Sequence, residues 1–132
     1  MAARSTLGAL LIGLFAAFCA SAPTTEPTRL RVLAYNVQHG LGMDGAIDLE
    51  RIAAVVRAQD ADVVTLQEID EGFGRSDGVD QARVLGELCA MQHVFGAFMD
   101  YDGRRYGMAL LSRFPIVASR NIRLPDGAAP SS

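Results

Sequence analysis

Asn36 and Glu68 are the residues whose types and spacing first point to chemistry. Each lies near the end of an apolar, β-rich run: Leu30–Val37 (LRVLAYNV) and Asp62–Glu68 (DVVTLQE). Between the runs, Asp48 is placed to cap a helix on which Leu49, Ile52, Ala53 and Val56 recur at helical spacing. Arg51 and Arg57 fall off that stripe and should be solvated. Strand, helix and strand within about 40 residues form a βαβ unit, with parallel strands and a right-handed crossover. The carboxyl ends of both strands then lie at one sheet edge, where α/β proteins gather their ligands. The topology thus brings an amide and a carboxylate to one place. The plainer alternatives are a turn residue at Asn36, satisfying local backbone groups, and an exposed strand-end charge at Glu68.

A second pattern competes for the same loop. Gly40-x-Gly42-x-x-Gly45 follows the first strand, and Glu68 stands where a ribose-binding acid would stand in a dinucleotide site. Against it, the third glycine should open the helix, yet Asp48 caps it further along. Asn36 to His39 also separate the strand core from the first glycine. No Cys/His cluster has zinc spacing. Cys89, His39 and His93 fall on a helix, a loop and a strand, with no convergence into a Cys–His nucleophile. Cys89 reads as a small core residue, and His93 as packed at a strand start.

Beyond Glu68, Ile69–Gly78 reads as a polar, Gly-rich loop. Val79–Met91 reads as a helix with Val84, Leu85, Leu88 and Met91 inward. Strands are expected over His93–Met99, Tyr106–Ser112 and Pro115–Ile122, with Asp102-Gly103 as a hairpin turn. The pattern changes from βαβ to a run of strands, which is an α/β sandwich with antiparallel strands and not a doubly wound sheet. About five strands and two helices leave one sheet face with little to pack against it. The expectation is the first half of a larger domain.

Composition narrows the class. The chain has 132 residues, 50% of them hydrophobic, and a formal net charge of −3. That is one small domain at most, and too apolar for a disordered chain. All twelve basic residues are arginine, and the acidic balance excludes a general nucleic-acid coat protein. The N-terminus carries a positive start (Met1–Arg4), an apolar run (Leu7–Phe18) and small residues (Ala20-Ser21-Ala22). This is the layout of a secretory signal. The apolar run falls short of the roughly 20 residues a membrane span needs. We therefore expect a signal peptide over 1–22, a Pro/Thr-rich linker over 23–29 and the domain over 30–132. The product would be secreted or periplasmic, without an integral membrane span once the signal is removed. Only Cys89 would remain, so no internal disulfide is expected.

Four segments together resemble the endonuclease/exonuclease/phosphatase superfamily. They are Leu33–Gly40 (LAYNVQHG), Asp48–Ala53 (DLERIA), Asp62–Glu68 (DVVTLQE) and Tyr106–Ile116 (YGMALLSRFPI), in the family's order. The resemblance implies the N-terminal half of a four-layer α/β sandwich, two mixed β-sheets flanked by helices. It implies a metal-dependent hydrolase of phosphodiester or phosphomonoester bonds. Glu68 would bind the metal, Mg²⁺ or Mn²⁺, and Asn36 would position metal or phosphate. Hard oxygen ligands suit both ions. His39, Arg75 and Asp80 occupy positions that often face substrate in similar proteins, although Arg75 and Asp80 also read as a surface pair or helix cap. Met108 departs from the Asn or Val often seen in its segment. The family's Asp-x-Asn segment and terminal Asp-His pair have no counterpart: after Ile116 the sole acid is Asp126, and there is no histidine. The chain thus reads as a partial domain, inactive alone. Its implied partner is a phosphate ester, whether nucleic acid, phospholipid head group or small molecule, and no stable protein partner is expected. A secreted, non-catalytic binding module is the alternative.

Overall fold

The computed structural model describes residues 29–122. The expected signal segment and nearly all of the linker lie outside the described residues. Strand β1 (Val32–Asn36) leads through a short 3-10 turn (Gln38–Gly40) to helix α1 (Leu49–Ala58) and strand β2 (Val63–Glu71). A second 3-10 turn (Gly74–Ser76) precedes helix α2 (Gln81–Cys89), then strands β3 (Gln92–Tyr101) and β4 (Arg104–Ser112). Among the described residues no helix is long and apolar enough to cross a membrane.

Local chemistry sets the element ends. The Asp48 carboxylate accepts from the Arg51 N–H at 2.9 Å and opens α1. The Asp80 carboxylate does the same for α2 through the Arg83 N–H at 3.0 Å. Ala90 adopts a left-handed conformation and closes α2. Asp102 (φ 54°) and Gly103 (φ 82°) are both left-handed, as a two-residue hairpin turn requires.

The sheet runs in the order β1-β2-β4-β3. β1 and β2 are parallel, as the βαβ reading requires, and β4 is antiparallel to both of its neighbours. That pairing removes the dinucleotide reading of Gly40, Gly42 and Gly45. A doubly wound sheet would continue with parallel strands. The helices cover one face. Ile52, Ala53 and Val56 of α1 and Ala82 and Leu85 of α2 are buried with Val64, Leu66 and Ile69 of β2 and Ala109 and Leu111 of β4. The Cys89 thiol packs at the edge of this core, and burial pushes its pKa up, so it is a poor nucleophile. The opposite face is open and apolar: Val32 is 60% and Met108 45% exposed.

Four expectations need correction. Pro115–Ile122 forms no strand; residues 119–121 lie along the open face instead, where the Asn121 amide donates to the Ala97 carbonyl at 2.6 Å. Helix α2 starts at Gln81, and its buried face is Gln81, Ala82, Leu85 and Gly86, while Val84 is half-buried and Met91 lies past its end. His93 is exposed, its ring lying along Gly86. Strand β2 does not end at Glu68 but continues to Glu71, because a bulge interrupts the ladder and does not end it.

Two bulges lie at the same level on either side of Gly107. β2 shifts register between Gln67 and Ile69, and β3 between Ala97 and Met99. A Cβ on Gly107 would sit 2.1 Å from the Gly96 carbonyl oxygen, so only glycine lets the strands close there. Gly107→Ala is expected to lower stability by about 1–3 kcal/mol or more, as forced overpacking does. A urea unfolding midpoint equal to that of the unsubstituted chain would count against this packing.

Candidate functional site

The bulge decides where Glu68 points. In a regular strand residues alternate faces, so Glu68 would follow Val64 and Leu66 into the helix-covered core. The extra residue shifts that phase, and Ile69 takes the buried position instead. Glu68 itself adopts φ 62°, a conformation that costs a non-glycine residue roughly 1–2 kcal/mol. Gln38 (φ 47°) and His39 (φ 45°) adopt the same conformation in the adjacent turn. Strain of this kind persists where surrounding contacts over-determine it, and it gathers at functional sites.

Those contacts are specific. The Asn36 Nδ2 donates to Glu68 Oε1 at 2.7 Å, and the Gln38 N–H donates to Asn36 Oδ1 at 3.0 Å. Both ends of the amide are therefore engaged, which fixes its orientation. The turn contact of Asn36 and its contact with Glu68 are one arrangement. Gln81 is fully buried at the start of α2. Its Nε2 donates to the His39 carbonyl at 2.8 Å, and its Oε1 accepts the Asp70 N–H at 3.0 Å. One side chain thus pins the strained turn to the strand just past the bulge.

Beside Glu68 lies a cleft of about 360 Å³ lined by His39, Glu68, Phe73, Arg75, Tyr101 and Tyr106, among others. Arg75 is held over the Phe73 and Tyr106 rings, 5.0 Å and 5.6 Å from their centroids. Its Nε and Nη2 donate to the two oxygens of Asp70 at 2.8 Å and 2.7 Å. The Ser76 hydroxyl adds a third bond to Asp70 Oδ2 at 2.8 Å. Burial alone would push the Asp70 pKa up, but the bonds from Arg75 and Ser76 and the Arg75 charge outweigh it and hold the pKa below its ordinary value. The Tyr106 hydroxyl goes the other way. Burial first, then the neighbouring Glu68 carboxylate, raises its pKa, so it stays a proton donor.

The structure thus gathers Asn36, Glu68, His39 and Arg75 around one site. Asp80 caps α2, as the helix-cap alternative has it, and lies outside the residues that line this cleft. Arg75 pairs with Asp70 and not with Asp80. Sequence reasoning missed Asp70, Ser76 and Gln81. The available signal was a polar residue where burial was due: Gln81 stands on the apolar face of α2.

For a divalent metal, Glu68 offers a hard carboxylate oxygen, which fits Mg²⁺ or Mn²⁺ held by one carboxylate together with water and substrate phosphate. Among the described residues no three His, Cys, Asp or Glu side chains form a cage. Asn36 donates its nitrogen to Glu68 and accepts the Gln38 N–H on its oxygen, an arrangement that orients the carboxylate.

The family profile described as Endonuclease/Exonuclease/phosphatase family matches residues 33–132. Among solved structures, an endonuclease/exonuclease/phosphatase from Beutenbergia cavernae is 29% identical, with a TM-score of 0.54, covering 68% of this chain and 27% of that one. A family protein from Leptotrichia buccalis is 19% identical, with a TM-score of 0.48, covering 68% of this chain and 39% of that one; at that level the likeness carries no argument. No curated protein matches significantly. The chain belongs to the endonuclease/exonuclease/phosphatase family, and it spans well under half the length of these two solved structures.

The Asp70–Arg75 pair has a pH signature. A lowered carboxylate pKa contributes stability that is present above the unfolded value, about 3.9, and is lost as pH falls through the folded value. Asp70→Asn is expected to cost about 1–3 kcal/mol at neutral pH, between buried and surface pairs because Arg75 is half exposed. Its loss of stability below about pH 4 should be shallower than that of the unsubstituted chain. Part of the acid sensitivity should remain, since Asp44 and Asp60 are also lowered by arginine partners. Unfolding midpoints from pH 7 to pH 2 check this; identical acid profiles would contradict it.

Proposed function

We propose that this chain carries the metal-ligating part of a hydrolase of phosphodiester or phosphomonoester bonds. The observation that carries the reading is the Asn36–Glu68 hydrogen bond, set where the parallel pairing of β1 with β2 ends and opening on a cleft with His39 and Arg75. Glu68 would hold one divalent cation, Mg²⁺ or Mn²⁺. When bound, such a cation neutralises charge developing on phosphoryl oxygens. Asn36 fixes the rotamer of Glu68, so the carboxylate need not reorganise when the cation arrives.

The remaining groups suit a phosphate. Arg75 spends Nε and Nη2 on Asp70, which leaves Nη1 to donate to a phosphate oxygen. The Tyr106 hydroxyl lines the same cleft beside Glu68. His39 supplies a third polar group from the strained turn. The reading leaves activation of the attacking water to residues outside the described ones. The signal-like segment Leu7–Phe18 supports action outside the cytoplasm, as a secreted or periplasmic protein.

The test is hydrolysis of bis(p-nitrophenyl) phosphate by the complete protein. Turnover is expected to require Mg²⁺ or Mn²⁺, to stop on chelation, and to fall on the order of 100-fold or more in Glu68→Ala. Asn36→Ala should weaken metal affinity roughly 10-fold or more, as loss of a ligand-orienting group does. Activity that survives both chelation and Glu68→Ala would remove the metal role.

A further inference from the structure

We propose that Gln81 is a positioning residue of the cleft: its buried amide holds the Gln38–His39 turn against β2 and, through Asn36, sets the orientation of Glu68 towards a cation. This rests on the cation reading above and names the group that stands behind the carboxylate.

An amide at the start of α2 is costly unless it is used. Gln81 is fully buried, as are its helix neighbours Ala82 and Leu85. Burying an amide costs free energy unless it is hydrogen-bonded, and a methionine would fill the same length without that cost. Gln81 uses both ends: Nε2 donates to the His39 carbonyl at 2.8 Å, and Oε1 accepts the Asp70 N–H at 3.0 Å. The base from which it reaches is fixed. Asp80 pairs with Glu71 in an isolated bridge, and the Gly72 N–H donates to the Val79 carbonyl at 3.2 Å. The start of α2 is thereby tied to the end of β2.

The place of this amide in the sheet gives it its role. The last register pair of β1 with β2 is Asn36 with Gln67. Past the bulge, the Asp70 N–H is taken by this side chain from α2. Bonds within the turn fix its shape: the Gly40 N–H donates to the Val37 carbonyl at 2.8 Å, and the Leu41 N–H to the Gln38 carbonyl at 2.9 Å. Gln38 and His39 are both left-handed, a strained pair that needs support from outside the turn. The Gln81 bond to the His39 carbonyl supplies it. The same turn presents the Gln38 N–H to Asn36 Oδ1, and Asn36 Nδ2 donates to Glu68 Oε1. Gln81, the turn, Asn36 and Glu68 thus act in series. A shift of the turn reaches the carboxylate through the Asn36 rotamer, and a group behind a ligand tunes affinity through such orientation.

The test is calorimetric titration of the complete protein with Mn²⁺ alone. Gln81→Met, which keeps the length and loses both bonds, is expected to weaken binding roughly tenfold. Gln81→Asn, one methylene too short to hold both partners, should weaken it as well. In an Asn36→Ala background, Gln81→Met should cost no more than about twofold further, because groups acting in series are not additive. Leu85→Val, a packing change on the same buried helix face, should leave Mn²⁺ affinity unchanged while lowering the urea midpoint. If the unsubstituted protein binds Mn²⁺ and both Gln81 variants bind it equally well, the positioning role is overturned and the cation reading stands. An equal further loss in the Asn36→Ala background, or a matching loss in Leu85→Val, reduces Gln81 to a packing role and also overturns it. If the unsubstituted protein binds no Mn²⁺, both readings fall together.

Discussion

At Glu68 the backbone of β2 turns left-handed in the middle of a ladder that is regular on both sides. Removing that bulge would send the carboxylate into the helix-covered core, where an unpaired charge is costly. With it, Ile69 fills the core position, and Glu68 meets Asn36 across the parallel pair. Gly107, opposite Ile69 on β4, lets the sheet close around the irregularity, and β3 carries its own bulge at the same level. The distortion therefore runs across three strands and belongs to the sheet as a whole.

Buried polar groups stabilise what the bulge strains. Asp70 is fully buried and accepts from Arg75 and Ser76, so the charge taken out of water is matched by fixed donors. Gln81 joins α2, the strained turn and β2 with two hydrogen bonds. A network satisfied at each of these points resists small displacements, because shifting one member leaves others unpaired in a low-dielectric setting. Arg75 acquires a fixed orientation over two rings from its partner, and the cleft acquires its positive side.

Much of this was legible in the sequence, for physical reasons. The βαβ unit shows in the change from strand-like runs to helical spacing, and Asn36 and Glu68 meet because parallel strands share a carboxyl edge. The Asp102-Gly103 turn shows because few residues accept two left-handed positions in succession. The length of β2 does not show, since a bulge breaks the alternation by which strands are recognised and made Ile69–Glu71 read as loop. Pro115–Ile122 has the composition of a strand, but no neighbouring edge pairs with it, and composition alone carries no partner. Asp70 escaped notice because its partners Arg75 and Ser76 are set by the fold of the loop after β2, and Gln81 because one of its bonds reaches the distant His39 carbonyl. The helix-cap reading of Asp80 was legible because a carboxylate just before an apolar helical stripe is a common N-terminal cap.

The proposed function rests on Glu68, oriented by Asn36, as the place where a divalent cation would bind. The most direct measurement is the broadening of backbone amide resonances in the isotope-labelled protein on titration with Mn²⁺. The signals of Asn36, Gln38, His39, Glu68 and Tyr106 are expected to broaden first, and Glu68→Gln should abolish that selectivity. Broadening centred on other acidic positions, such as Asp44 and Asp48, and unchanged by Glu68→Gln, would contradict the account.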